Sequence, residues 1–194
     1  MSVTQAGSAP SVYFFGLPGA GKTHCGEVLK QSFGYDFHDA DGWLPQDLKD
    51  SLSRGKGFTE EQRDRYAEEI SKRISEVKQS EARLAREENR PARPLAIAQA
   101  TFKQRHRDLI RRVHPDLVFV WVQANENSRV RRLRDREGVV DVALGCRMAR
   151  DFEAPSQEPH VVLVNDMDDE PIETAFMKML REAMTSCMVE VTAS

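Results

Sequence analysis

Long apolar runs are missing from this 194-residue chain, and none approaches the ~20 residues that a membrane-spanning helix needs. Cysteine is scarce. The three present, Cys25, Cys146 and Cys187, are far apart and lack metal-ligand spacing, which excludes a disulfide scaffold and reads as ordinary thiols in a reducing compartment. Neither sign of charge dominates. With 28 Lys and Arg against 31 Asp and Glu, the formal net charge of −3 gives no general reason to expect nucleic acid or a membrane surface as partner. The opening MSVTQAGSAP has no basic stretch leading into an apolar one, so no secretory signal is expected and the chain reads as cytoplasmic. Internal repeats and low-complexity segments are absent as well. What remains, 40% hydrophobic and 30% charged, suits one well-buried core: a disordered tail over residues 1–10 and a single domain over 11–194.

Glycine, modest overall, is concentrated in one place. In VYFFGLPGAGKT an apolar run meets Gly16, Pro18, Gly19 and Gly21 within six positions, just before a lysine. Glycine allows close backbone approach, so this loop is shaped around something other than its own side chains. Gly16, Gly21, Lys22 and Thr23 fill G-x-x-x-x-G-K-[ST], the phosphate-binding P-loop, with a strand pattern before it and a helix pattern after it. The N–H groups of Gly19, Ala20 and Gly21 would line an anion-sized concavity at a helix N-terminus, where Pro18 and His24 flank it. Lys22 would reach the β- and γ-phosphates of ATP, and Thr23 would offer its hydroxyl to Mg²⁺.

Five β-rich runs, at 11–16, 35–41, 94–100, 116–124 and 160–166, alternate with helical patterns. Such runs predict a three-layer α/β/α fold with a five-stranded parallel sheet covered on both faces. A long charged helix is expected over about 60–88, with Tyr66, Ile70, Ile74, Val77 and Leu84 on one stripe, ended by the prolines of ENRPARP. A closing helix is expected over about 171–187, turning Ile172, Ala175, Phe176, Met179, Leu180 and Ala183 inward.

A P-loop alone leaves ATPase, GTPase and kinase open, and three polar stretches narrow the choice. HDAD sets Asp39 and Asp41 at the end of the second strand, on the edge where parallel sheets bind ligands; alternate residues can face one cleft, or the pair can serve a turn. GKGFTEEQRDRY supplies a Thr59 cap with Gln62 as its partner, then Arg63 and Arg65, either of which can meet an anion or lie on a solvated helix face. SRVRRLRDREG puts Arg132 and Arg136 four apart on one helical face, as a lid over a transferred phosphate requires; a basic surface helix is the other reading. LAIAQA lacks the aspartate that ends this strand in many ATPases, and no N-K-x-D stretch reads guanine.

From the P-loop to the fifth strand the chain resembles the gluconokinase family, relatives of shikimate kinase and adenylate kinase. The matching pieces are GLPGAGKT, DADGW, GKGFTEEQR, ATFKQRHRDLIR, RLRDREG and FEAP, in the family's order. Departures fall at DADGWLPQDLK, which lacks the family's histidine, at Val139–Asp141 and at Arg147–Ala149. The resemblance implies a P-loop kinase fold with a mobile lid over about 136–152 and ATP-dependent phosphorylation of a sugar-acid hydroxyl. It implies Asp41, Arg63, Lys103 and Arg107 on the substrate side, Arg132 stacked on adenine, and Arg136 near the transferred phosphate. Asp41 is then the candidate to hold and deprotonate the acceptor hydroxyl, while Asp39 would hold Mg²⁺ through water. ATP and a small anionic acceptor, most simply gluconate, are the expected partners, with the protein a monomer or homodimer. A shikimate-type or nucleoside monophosphate acceptor, and a non-catalytic nucleotide-binding module, stay open.

Overall fold

The computed structural model describes residues 9–135, 140–166 and 171–178. Five strands, β1 (Val12–Phe15), β2 (Asp36–Asp39), β3 (Leu95–Ala98), β4 (Val118–Gln123) and β5 (Val161–Val164), form one parallel sheet in the order β2-β3-β1-β4-β5. Each falls inside an expected run.

The central strand shows why helices are needed on both faces. Val12 and Phe14 point into one apolar cluster with Cys25, Leu29 and Phe176; Tyr13 and Phe15 point into another with Tyr66, Ile70, Ile74, Ile110 and Phe119. All four strand residues are fully buried, so β1 reads as continuous apolar sequence with no alternation. The first face is covered by α1 (Lys22–Phe33) and by a helical stretch over 172–178; the second by α3 (Glu60–Glu87) and α4 (Gln104–Val113). Ile172 and Phe176 pack inward as expected, whereas Met179, Leu180 and Ala183 lie outside the described residues.

Both ends of α3 are explained by particular residues. At its start Thr59 Oγ1 accepts from Gln62 N at 3.2 Å, and Gln62 Oε1 accepts from Thr59 N at 2.9 Å, a reciprocal capping box. Its end is set earlier than the prolines. Asn89 turns left-handed at φ 48°, Arg90 N returns to Ala85 O at 2.9 Å, and Arg90 and Arg93 both bind the buried Glu81. A side-chain clamp and an αL turn therefore finish the helix before Pro91 can.

The remaining elements are a 3₁₀ turn at Ala40–Trp43, α2 (Gln46–Ser53), α5 (Glu126–Asp135) and α6 (Val142–Ala149). Asp141, at a departure from the family pattern, caps α6 by accepting from Leu144 N at 2.7 Å.

Candidate active site

The loop from Gly16 to Gly21 uses backbone where other loops use side chains. A Cβ on Gly16, at φ 145°, would lie 2.5 Å from the Val122 carbonyl oxygen; one on Gly21, at φ 92°, would lie 2.1 Å from Asn165 Nδ2. Side chains are excluded at both positions. Gly21 also caps α1 without a side-chain hydrogen bond, which leaves the helix's first N–H groups for a ligand. Lys22 Nζ donates to the carbonyls of Gly16 and Leu17 at 3.1 and 3.0 Å, so its ammonium lies back over the loop. His24, expected beside the phosphates, is exposed on α1 and does not line the cleft.

Helix α5 and the end of β5 stitch this loop in place. Arg132 donates to Gly19 O at 3.3 Å, Ala20 O at 3.2 Å and Asn165 O at 2.7 Å, and Arg129 Nε reaches Pro18 O at 3.2 Å. Asn165, buried, donates through Nδ2 to Ala20 O at 2.8 Å. Sequence reading passed over Asn165 because HVVLVND shows only a strand followed by polar residues.

Where β2 ends, Asp39 performs two tasks. Its Oδ2 accepts the Thr23 hydroxyl at 2.7 Å, while its Oδ1 accepts Asp41 N at 3.0 Å and caps the 3₁₀ turn. The turn reading of HDAD is met, and both carboxylates line one cleft. Asp41 Oδ1 accepts from Gln99 Nε2 at 3.1 Å, and Gln99 also donates to the Tyr66 hydroxyl at 2.9 Å, which in turn donates to Ala40 O. Burial, with the Asp41 charge second, pushes the Tyr66 phenol well above its ordinary range, so it stays protonated. Gln99 and Tyr66 thus fix Asp41. Neither completes a local motif, although Gln99 stands at the end of LAIAQA, where many ATPases carry an aspartate.

One cleft of about 310 Å³ collects Lys22, Thr23, Asp39, Asp41, Arg63 and Arg132, with apolar walls from Leu44, Leu52, Phe58, Phe102, Val140 and Met148. Arg63 Nε donates to Phe58 O at 3.2 Å and Nη2 to Asp151 at 2.6 Å, with the guanidinium 5.5 Å from the Phe102 ring centroid. Its Nη1 is buried with no partner among the described residues. Arg65 instead pairs with Asp47 on the surface.

Two acceptor-side expectations are corrected. Arg107 is 0% exposed and does not line the cleft: it binds Glu158, donates to the carbonyls of Thr101, Phe102 and Glu153, and packs 4.9 Å from the Phe15 ring centroid. Every donor is used inside the fold, so it is a packing arginine. Lys103 also stays off the cleft, paired with Glu153 at 3.2 Å where it precedes α4. Arg136 and the start of the expected lid lie outside the described residues.

Strand order, loop and cleft define a class, the P-loop kinase fold. The family model of adenylylsulphate kinase matches residues 8–157, and the chain belongs to that family. It is also 26% identical over 128 residues to a probable gluconokinase of Dictyostelium discoideum, a match covering 65% of this chain and 60% of that relative's length. A gluconokinase from Sinorhizobium meliloti superposes with a TM-score of 0.72 at 20% identity, covering 96% of this chain and 98% of that one. An adenylylsulphate kinase from Mycobacterium tuberculosis, solved in complex with AMPPNP and APS, superposes with a TM-score of 0.59 at 18% identity, covering 90% and 98%. The resemblance to gluconokinases read from the motifs is thus met again in these likenesses, which at such structural identities carry the fold. No helix among the described residues is long and apolar enough to cross a membrane.

Proposed function

We propose that the protein transfers the γ-phosphoryl group of ATP to a hydroxyl of a small anionic carbohydrate, with gluconate the first candidate. The observation that carries this reading is a single cleft that holds the P-loop cation Lys22 together with Asp41 and with Arg63, whose buried Nη1 has no partner among the described residues. A buried cationic donor without an acceptor is costly, and an anionic group on the substrate supplies one. Asp41, fixed by Gln99 and the tyrosine behind it, holds the acceptor hydroxyl and takes its proton as the oxygen attacks the γ-phosphorus. The loop's N–H groups and Lys22 receive the phosphates. Arg132 stacks on the adenine, and Arg136 closes over the transferred group.

Thr23 and Asp39 offer two oxygen-bearing side chains 2.7 Å apart beside the phosphate loop, and the described residues contain no cluster of three or more acidic, histidine or cysteine ligands. That set fits Mg²⁺, which keeps several waters and takes few protein ligands. When bound, the ion would neutralise charge on the phosphate oxygens.

A second reading, an acceptor bearing a planar ring such as a nucleoside monophosphate or adenylylsulphate, is favoured by Phe58 and Phe102 in the walls of the same cleft. Coupled ADP release over gluconate, shikimate, nucleoside monophosphates, adenylylsulphate and neutral polyols tests both. Acceptor-dependent release with a sugar acid supports the first reading. Slow hydrolysis indifferent to every acceptor overturns the kinase assignment.

A further inference from the structure

The cleft holds one more polar side chain, which the motifs did not single out. His106, on α4, lines it and is 5% exposed. Its Nε2 lies 2.6 Å from Asp64 Oδ1 on α3, and Arg105 Nη2 reaches the same oxygen at 2.6 Å. These contacts, that of His106 foremost, hold the Asp64 carboxyl below its ordinary range. An ionised carboxylate only accepts, so the proton between the two sits on Nε2. The other ring nitrogen is left over, for Nδ1 makes no hydrogen bond to any described residue.

The tautomer decides what Nδ1 can do. In the neutral ring it is a lone pair; in the imidazolium it is a second donor. Facing the ring is Asp64 from α3, which Arg105 of the same helix as His106 also binds, and Glu60 is tied to Arg105 at 2.7 Å. Asp39, Asp41 and Arg63 line the same cleft, while Lys103 and Arg107 are taken up by Glu153 and Glu158.

We infer that His106 is a second acceptor-binding residue. Asp64 fixes its tautomer, and the Nδ1–H of its imidazolium joins Arg63 Nη1 in receiving the carboxylate or phosphate of the acceptor. This rests on the anionic-acceptor reading above. It replaces the contacts that Lys103 and Arg107 do not make, and acceptor binding then weakens wherever rising pH removes the imidazolium proton.

The test is the KM for gluconate at saturating ATP, measured between about pH 5 and about pH 8. In the wild type KM rises with pH, by up to roughly tenfold per unit, as the imidazolium gives way to the neutral ring. His106→Gln raises KM at low pH by about 10- to 100-fold, as loss of a charged hydrogen bond does, flattens the profile and leaves the KM for ATP unchanged. Asp64→Asn, which does not touch the acceptor, moves the rise to lower pH. A His106→Gln enzyme that keeps the wild-type profile overturns the inference and leaves the anionic-acceptor reading standing. If that variant fails to fold, an unshifted profile in Asp64→Asn overturns it instead. Should gluconate not be turned over while another acid of the panel is, the same series is run with that acid. ADP release with no acid of the panel overturns the acceptor reading and the inference together.

Discussion

Asp151 holds Arg63 at 2.6 Å, so the arginine assigned to the acceptor is already half engaged by a carboxylate of the chain itself. Asp151 is 52% exposed at its side chain while Arg63 is 10% exposed, which makes Asp151 the displaceable partner. An anionic acceptor competes with it. Asp151→Asn is therefore expected to lower the acceptor KM by about two- to fivefold, the size of a partly exposed ion pair, with the KM for ATP unchanged. Steady-state kinetics with gluconate check this, and a raised KM would assign Asp151 to orienting Arg63.

Arg107 carries the opposite expectation. Its charge is enclosed with that of Glu158, so Arg107→Met leaves the buried carboxylate with only Arg111 at 3.1 Å and removes the donor to the carbonyls of Thr101, Phe102 and Glu153. A stability loss of about 3–5 kcal/mol is expected in urea unfolding. The acceptor KM of the enzyme that remains folded should stay within about twofold of wild type, because a residue off the cleft contributes no binding term.

These two arginines show how far the sequence could be read. All five strands, the phosphate loop and the Thr59–Gln62 cap were legible because each is written in neighbouring residues: an apolar run, a glycine spacing, a four-residue box. The fate of Arg107 was not, since its carboxylate partner lies 51 positions away and only the fold brings them together. Gln99, Tyr66 and His106 were hidden for the same reason. Gln99 follows β3, Tyr66 lies on the apolar stripe of α3 and His106 on α4, and none completes a local motif. Asn89 and Glu81 anticipated the prolines at the end of α3 through a turn and a clamp that periodicity does not encode.

Acid should expose that clamp. Arg90, then Arg93, holds the Glu81 carboxyl down to about 2 from an ordinary value near 4.5. The folded value lies below the unfolded one, so the contribution to stability is complete above about 4.5 and is lost as pH falls from there through about 2. Glu81→Gln is expected to be less stable at neutral pH and to show a shallower loss of stability across that window. Unfolding midpoints measured at a series of acid pH values decide this, and parallel curves for the two proteins would remove Glu81 from the account.

Lys22→Ala should leave the fold intact, because Lys22 opens α1 and belongs to neither apolar cluster. Turnover should fall by at least about a thousandfold, as when a group that stabilises transition-state charge is removed. Far-ultraviolet circular dichroism with ADP release separates the two effects.

The central claim is that Asp41 and the phosphate loop face one another across a cleft in order to phosphorylate an acid's hydroxyl. ADP release from wild type and Asp41→Asn, each with ATP and with gluconate present, absent or replaced by sorbitol, tests it most directly. The account predicts release that requires gluconate, is weak with sorbitol and falls by about 10²- to 10⁴-fold in Asp41→Asn, the range of general-base catalysis. Equal release with gluconate, with sorbitol and with no acceptor, unchanged by Asp41→Asn, would contradict it.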